Sequence, residues 1–371
     1  MIKVIEVSTD TNIGGAGRVL LILLKELDRT KFDVSVILPE NSLLKPEIEK
    51  LGVKITEVPG IADKSLDFSA IKTLKDIFNK EKPDVVHTHA SMSARIAARL
   101  SGCKVVYTRH SVFPPAKEIS QGIGKVINGM VNNFFSDRII AVAEAAKDNL
   151  TDTGVSEKKI DVILNGVYPL TPCENKDEIF ERFGIAPGEK VVSIVARLED
   201  IKGHDYFIEA ADMLLSEGYK AKFVIAGTGS YEEHLKKKVK ELGREEDIIF
   251  TGFITDVDKL MNITYIQANA SFGTEATSLS LLEGMSLGIP AVVSDFGGNP
   301  GVIKSGKNGF VVEKKNAKAL KDGLELLLSH DDLYEVLSRG SKEIFEKTFT
   351  AQVMTRNTEA IYEKAVGGRN K

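Results

Sequence analysis

Short β-branched runs alternate with stretches of helical periodicity along the whole chain. In the first half the strand candidates are 2–7, 32–38, 53–58, 84–87, 104–108 and 138–142. Apolar residues at helical spacing lie between them, as at 16–27 and 71–79. A second set of strand candidates follows at 191–196, 222–226, 247–251, 265–270, 291–293 and 309–312. Its intervening helical patterns are 206–215, 231–242, 279–287 and 317–328, and two more helical segments, 331–345 and 351–365, close the chain. Near-continuous apolar strands separated by helices predict parallel strands buried on both faces. The fold class is therefore α/β, with doubly wound parallel sheets. A chain of 371 residues exceeds one ordinary core, so two Rossmann-like domains are expected. The break falls where Pro169 and Pro172 interrupt a polar stretch, giving domains 1–168 and 169–350. In such a pair the ligand is expected in the crevice at the strand C-terminal ends.

Charge narrows the partners. The net charge of −4 gives no reason to expect nucleic-acid binding. Residues 1–168 carry 23 basic and 21 acidic side chains, against 26 and 32 in the remainder. That slight excess is compatible with an anionic acceptor or a membrane surface on the first half. Cys103 and Cys173 lie far apart and outside any metal-ligand spacing, which suits a reducing cytosol. The first residues run straight into a strand without a signal-peptide pattern, and no run of about 20 apolar residues is present.

The stretch 271–290, SFGTEATSLSLLEGMSLGIP, carries the densest chemistry. It reads as a strand end, a polar turn and the start of a helix, with Glu275 in the turn and Glu283 in the helix. A helix start offers unpaired backbone N–H groups to an anion such as a diphosphate. The two carboxylates can accept hydrogen bonds from sugar or ribose hydroxyls. The competing structural reading makes Ser280 and Glu283 a capping box and Glu275 a solvated loop acid.

Other motifs follow strand ends. TNIGGAGR at 11–18 brings Gly14 and Gly15 to a helix start, without the full spacing of a dinucleotide or P-loop fingerprint. VARLEDIKG at 195–203 sets Arg197 and Lys202 five apart across a short loop, two cations able to meet one diphosphate. AGTGS at 226–230, with Gly227, and TGFI at 251–254, with Phe253, are turns that could supply ligand contacts, the latter at a nucleobase edge. His87 and His89 end a strand with no third metal ligand at useful spacing. They are expected on opposite faces, or one of them in the loop, so no metal site is expected. His110 ends the next strand, where it could donate to a substrate hydroxyl or steady developing charge, and Arg109 beside it could meet an anion. The apolar stripe Ile119, Ile123, Val126, Ile127, Met130, Val131, Phe134 and Phe135 carries only Lys117 and Lys125, so a core-packing helix is expected rather than a membrane-surface one.

Taken in order, these motifs resemble the retaining glycosyltransferases of the GT-B fold, specifically family 4, also called group 1. The likeness spans nearly the whole chain. It rests on RLEDIKG, the pair Glu275 and Glu283, GGAGR, NGV at 165–167 and GGNPGVI at 297–303. Three places depart from the usual pattern: Ala276-Thr277-Ser278-Leu279 stands where Gly-Phe-Gly-Leu is common, Gly301 where a glutamate often follows the proline, and Ala143 where a serine commonly precedes the glutamate, here Glu144.

The resemblance implies a nucleotide-diphosphate sugar, UDP favoured, bound mainly by the second domain. Arg197 and Lys202 would hold the diphosphate, Glu275 the donor sugar and Glu283 the ribose. The backbone at Ser278 and Leu279 would bind phosphate, and Gly15 would approach it from the first domain. Asn165, Gly227 and Phe253 join the donor-binding set, and Asn12 and Arg109 are assigned to the acceptor. His110 corresponds to the family histidine near donor sugar and acceptor. The closing segment 351–371 would pack back on the first domain. Transfer would retain the anomeric configuration and need neither a metal nor another cofactor. The acceptor would be a glycan or a polyprenyl-linked sugar, in bacterial surface-polysaccharide or glycoconjugate assembly. The protein would be cytoplasmic, free or peripheral on the inner membrane face. The alternatives are a GT-B-like sugar-nucleotide epimerase and a non-catalytic nucleotide-sugar-binding protein.

Overall fold

The computed structural model describes residues 1–62 and 65–367. The chain divides into two compact units, one of Met1–Val167 with the segment from Ala351, the other of Tyr168–Thr350. Each is an α/β unit around one parallel sheet. The last four residues of the 351–371 segment lie outside the described residues.

The first unit holds β1 (Ile2–Ser8), β2 (Phe32–Leu38), β3 (Lys54–Glu57), β4 (Val85–His89), β5 (Lys104–Arg109), β6 (Arg138–Ala141) and β7 (Ile160–Val162) in the order β3-β2-β1-β4-β5-β6-β7. Every neighbouring pair is parallel. The sequence offered no signal for β7. It has three residues, and only pairing with β6, Ile139 opposite Ile160, makes it a strand. The second unit holds β8 (Lys190–Val195), β9 (Ala221–Ala226), β10 (Ile248–Gly252), β11 (Thr264–Asn269), β12 (Ala291–Ser294) and β13 (Gly309–Val312) in the order β10-β9-β8-β11-β12-β13, again all parallel.

In both sheets the strand order reverses beside the first strand, between β1 and β4 and between β8 and β11. The loops leaving two such neighbours diverge to opposite faces and open a crevice at the strand ends. TNIGGAGR leaves β1 and His89 ends β4; Arg197 and Lys202 leave β8 and Glu275 leaves β11. The motifs thus fall at the two switch points.

Five helices bear on these places: α1 (Gly15–Glu26), α2 (Gly122–Phe134), α3 (His204–Ser216), α4 (Leu279–Ser286) and α5 (Ala351–Gly367). The core of the second unit joins Phe207 and Leu214 of α3 to Phe223, Ile225 and Ile266 of the sheet. Burying each such side chain contributes roughly 1.5–3 kcal/mol. In the first unit, α5 buries Tyr362 completely, edge-on to Phe32 with ring centroids 5.8 Å apart.

The helix with the 119–135 stripe is not a core helix. Ile123 is 78% exposed and Phe134 64%, and Val126, Ile127 and Met130 are exposed as well. Its inward side is small and polar. Gly129 is the buried residue of α2, and a Cβ there would meet the Gly154 carbonyl at 2.2 Å. Asn128 donates to the Thr153 carbonyl at 2.6 Å, and Asn132 accepts from Arg95 at 3.1 Å. Hydrogen bonds and close backbone contact hold the helix by this side, which turns the apolar stripe to solvent.

Candidate functional site

In the second unit the structure brings Lys202 and Glu275 together. Chain direction alone would not do this, since 73 residues separate them. Gly203 closes the loop after β8 in the left-handed region, at φ 74°, with its Cα so close to Ala270 that a Cβ would lie 2.1 Å from the Ala270 carbonyl oxygen. Only glycine accepts both conditions. The preceding Lys202 is thereby laid against the turn after β11. Its Nζ donates to the Thr274 carbonyl at 2.9 Å and to Glu275 Oε2 at 3.0 Å. The same carboxylate oxygen accepts from Ser271 Oγ at 3.0 Å and Asn269 Nδ2 at 3.3 Å. Gly297, at φ 58°, presses on the other side, where a Cβ would meet the Glu275 carbonyl oxygen at 1.9 Å. Gly298 N–H donates to that carbonyl at 3.0 Å. Glu275 is therefore buried, fully oriented and paired, not a solvated loop acid.

Immediately downstream, α4 begins. Ser278 is its N-cap, its hydroxyl accepting from the Leu281 amide at 3.5 Å. The capping box of the competing reading, from Ser280 and Glu283, does not form. With Ser278 as cap, the reciprocating position is Leu281, and Ser280 Oγ instead donates to the Val195 carbonyl at 3.2 Å. The first amides of α4, those of Leu279 and Ser280, have no carbonyl one turn earlier and can serve an anion. Glu283 lies buried within the same helix.

Arg197 does not share the Lys202 environment. Its side chain is 69% exposed and donates to Glu199 at 2.7 Å. An exposed pair of this kind contributes little and exchanges readily for another anion. Gly227 follows β9 in contact with the same loop, a Cβ there being 2.0 Å from the Ala196 carbonyl oxygen. Phe253, after β10, is 75% exposed, an open aromatic face that a nucleobase could cover.

The first unit carries a separate polar cluster. Glu6 of β1 stands opposite His87 of β4 in register, and Ser8 opposite His89. His87 and His89 share one face of β4, with ring centroids 4.5 Å apart, because residues two apart on a strand project the same way. This corrects the expectation of opposite faces. Glu6 accepts from Tyr362 O–H of α5 at 2.6 Å, and its Oε2 lies 3.0 Å from His87 Nδ1 and 3.1 Å from His89 Nε2. His87 Nε2 meets Thr108 Oγ1 at 2.6 Å, and His89 Nδ1 meets His110 Nε2 at 2.7 Å.

Burial alone would push the Glu6 carboxyl up, but the electrostatic attraction of His87, with hydrogen bonds from His87 and His89, outweighs it and holds the group well below the usual carboxylate range. Burial pushes His87 down, and burial with the neighbouring imidazoles pushes His110 well below the ordinary histidine value. Burial and Glu6 together keep the Tyr362 phenol protonated far into alkali. Among the described residues, Glu6, His87 and His89 are the group whose ligand-type atoms lie within 4.8 Å of one another. Those atoms are occupied by the hydrogen bonds just given, which a cation would have to displace.

Asn165 lines a small cavity with His87, His89, His110 and Thr108. Gly15 starts α1 with open space where a Cβ would be, and Asn12 is exposed just before it. Arg109 donates to the Ser111 carbonyl at 3.0 Å and lies over Phe113, 5.7 Å from the ring centroid. It lines a cavity of about 340 Å³ with Tyr107, Phe113, Asn149 and Ile119, beside α2. The sequence reading did not single out Glu6, Tyr362, Asn269 or Ser271. Asn269 and Ser271 had a signal: two polar residues on one face at the end of an apolar strand.

Two family models match the chain, "Glycosyltransferase Family 4" over residues 13–169 and "Glycosyl transferases group 1" over 175–344. It is 28% identical over 359 residues to the Escherichia coli UDP-Gal:alpha-D-GlcNAc-diphosphoundecaprenol alpha-1,3-galactosyltransferase, covering 92% of this chain and 91% of that one. Among solved structures it is similar to a glycosyltransferase from Rickettsia africae (TM-score 0.85, 21% identity, all of both chains). It is also similar to HepE of Anabaena in complex with UDP (TM-score 0.85, 18% identity, 98% of this chain and 100% of that one).

Proposed function

The chain belongs to the family 4 glycosyltransferases of the GT-B fold, and on that premise we propose a metal-independent, retaining transfer of a hexosyl or N-acetylhexosaminyl group from a UDP-sugar to a glycan or polyprenyl-linked acceptor. The observation that carries this reading is the buried Lys202–Glu275 pair beside the start of α4. A cation and free backbone amides there meet a leaving diphosphate, while Glu275 offers its second carboxylate oxygen to sugar hydroxyls. Arg197 leaves Glu199 for the diphosphate, Glu283 binds the ribose, and Gly227 and Phe253 frame the base. Gly15 and Asn165 join the donor set from the first unit. His110 serves the transferred sugar, and Asn12 and Arg109 the acceptor. The charges of Lys202, Arg197 and the helix start take the place of a divalent ion. The UDP preference and a lipid-diphosphate acceptor are supported by the names of the E. coli relative and of HepE with UDP.

Calorimetry with UDP-, GDP- and ADP-sugars tests the donor assignment. A UDP-sugar is expected to bind, and at about 100 times its Kd to add roughly 2.7 kcal/mol of stability. Binding of a GDP- or ADP-sugar alone would overturn the UDP assignment.

We further propose peripheral association with the cytoplasmic membrane face through α2. No described helix is long and apolar enough to cross a membrane. The support is the exposed stripe of α2 with Phe113 beside it. In flotation with anionic vesicles the protein is expected to rise with lipid, and an Ile123→Asp/Met130→Asp variant to stay behind. Wild-type protein remaining with the unbound fraction contradicts the proposal.

A further inference from the structure

The cavity of about 340 Å³ beside α2 is lined by two arginines and, among the described residues, by no aspartate or glutamate. It takes Ala90 from just past β4, Arg109 from the end of β5, and Asn128 and Asn132 from α2. It therefore sits where sheets of this kind place ligands, at strand C-terminal ends. Its size falls within the range of small-molecule sites, roughly 300–1,000 Å³.

The two guanidinium groups have only neutral hydrogen-bond partners. Arg95 is 3% exposed. Its Nε donates to the Phe135 carbonyl at 3.4 Å, Nη1 to Asn132 Oδ1 at 3.1 Å, and Nη2 to the Asn132 carbonyl at 3.2 Å and to Ser136 Oγ at 2.8 Å. Burial pushes its pKa down to about 10, so it stays charged at neutral pH. Arg109 donates from Nε to the Ser111 carbonyl and from Nη2 to Asn149 Oδ1 at 3.4 Å, and its Nη1 has no hydrogen-bond partner among the described residues. A competing reading makes Arg95 a cap on the C-terminal carbonyls of α2. A helix end supplies only about half a negative charge, and Arg109 has no such end beside it. Charges withdrawn from water are ordinarily paired. Here the opposite charge is what a ligand can bring, and the guanidinium fork matches phosphate oxygens.

Much of the remaining wall is apolar, with Met92, Phe113, Pro114, Pro115 and Ile119. Phe113 and Ile119 are also exposed, and Ile119 begins the stripe that Ile123 and Ile127 continue. We propose that this cavity binds the phosphate or diphosphate group of a lipid-linked acceptor, held by Arg95 and Arg109, with the start of the lipid chain against Phe113 and Ile119. The proposal rests on the reading of Arg109 as an acceptor group and deepens it, since it names the anionic linkage as what the cavity holds. A free phosphate would leave the apolar wall uncovered, which favours the lipid-linked source.

The test is calorimetry of the full-length protein with farnesyl diphosphate, inorganic pyrophosphate and farnesol, without donor sugar. Farnesyl diphosphate is expected to bind more tightly than either pyrophosphate or farnesol. Arg109→Gln is expected to weaken its binding about 10–100-fold, the scale of a lost charge-assisted hydrogen bond. Asn149→Asp sets a carboxylate against Arg109 in nearly the same shape and is expected to weaken binding as well; it decides the matter should Arg109→Gln not fold. A diphosphate can also reach Lys202 in the second unit, so Lys202→Met is titrated in parallel and is expected to keep the wild-type affinity for farnesyl diphosphate. Wild-type protein that does not bind farnesyl diphosphate overturns the proposal. So do unchanged affinity in folded Arg109→Gln and loss of binding in Lys202→Met alone. Pyrophosphate bound as tightly as farnesyl diphosphate overturns the lipid-linked source. The titration reads binding without turnover, so its failure leaves glycosyl transfer standing, and a failure of transfer leaves the binding result standing.

Discussion

Replacing Lys202 by methionine is expected to lower the transfer rate by about 10²–10³, the usual cost of losing one donor that stabilises developing charge. Methionine retains the length and apolar body of the lysine stem and removes only the ammonium. The lysine side chain is 12% exposed and already fixed by the Thr274 carbonyl and Glu275, so its charge is in place before substrate arrives. A preorganised cation of this kind acts on the leaving diphosphate without reorganisation. The substitution also strips Glu275 of its cationic partner, and removing one member of a buried pair costs about 3–5 kcal/mol in fully desolvated cases. Circular dichroism and thermal unfolding must therefore accompany the rate measurement. A double variant, Lys202→Met with Glu275→Gln, separates the two effects. Stability should recover, because the unpaired charge is gone, whereas the rate should not.

Glu275→Gln is expected to split binding from turnover. Glutamine retains the shape and can still accept from Ser271 and Asn269, but it no longer neutralises Lys202. Lys202 is then freer for the diphosphate, so UDP should bind at least as tightly as to wild type. The charge-assisted hydrogen bond to the sugar is lost, worth about 1.5–3 kcal/mol, and kcat should drop about 10–100-fold. Calorimetry with UDP and steady-state kinetics measure the two quantities. A Glu275→Gln enzyme with weakened UDP binding and normal kcat would place this carboxylate on the nucleotide rather than on the sugar.

The alternation of strands and helices was legible because parallel sheets buried on both faces leave a strong local apolar signal. Of β7 little could be read, since three residues carry no period of their own and only β6 makes them a strand. The 195–203 and 271–290 stretches were readable as chemistry because each holds its charges within a short run at a strand end. Their meeting was not, because it depends on Gly203 and Gly297 pressing backbone onto Ala270 and Glu275. Arg197 shows the opposite case, where spacing suggested convergence with Lys202 and the structure pairs it with Glu199. The Glu6–His89–His110 chain crosses three neighbouring strands and is completed by α5, so no local motif announces it. The stripe on α2 misled for a physical reason. Periodicity tells that a helix has two unlike faces, not which face is packed, and here Gly129 and three asparagines hold the polar side inward.

The most direct test of glycosyl transfer through this site is acceptor-dependent release of UDP from a UDP-sugar, followed at saturating donor in wild type and in folded Lys202→Met. The account predicts release that requires a glycan or polyprenyl-linked acceptor and that falls at least 100-fold in the variant. Release that proceeds equally without acceptor, or that is the same in both proteins, would contradict it.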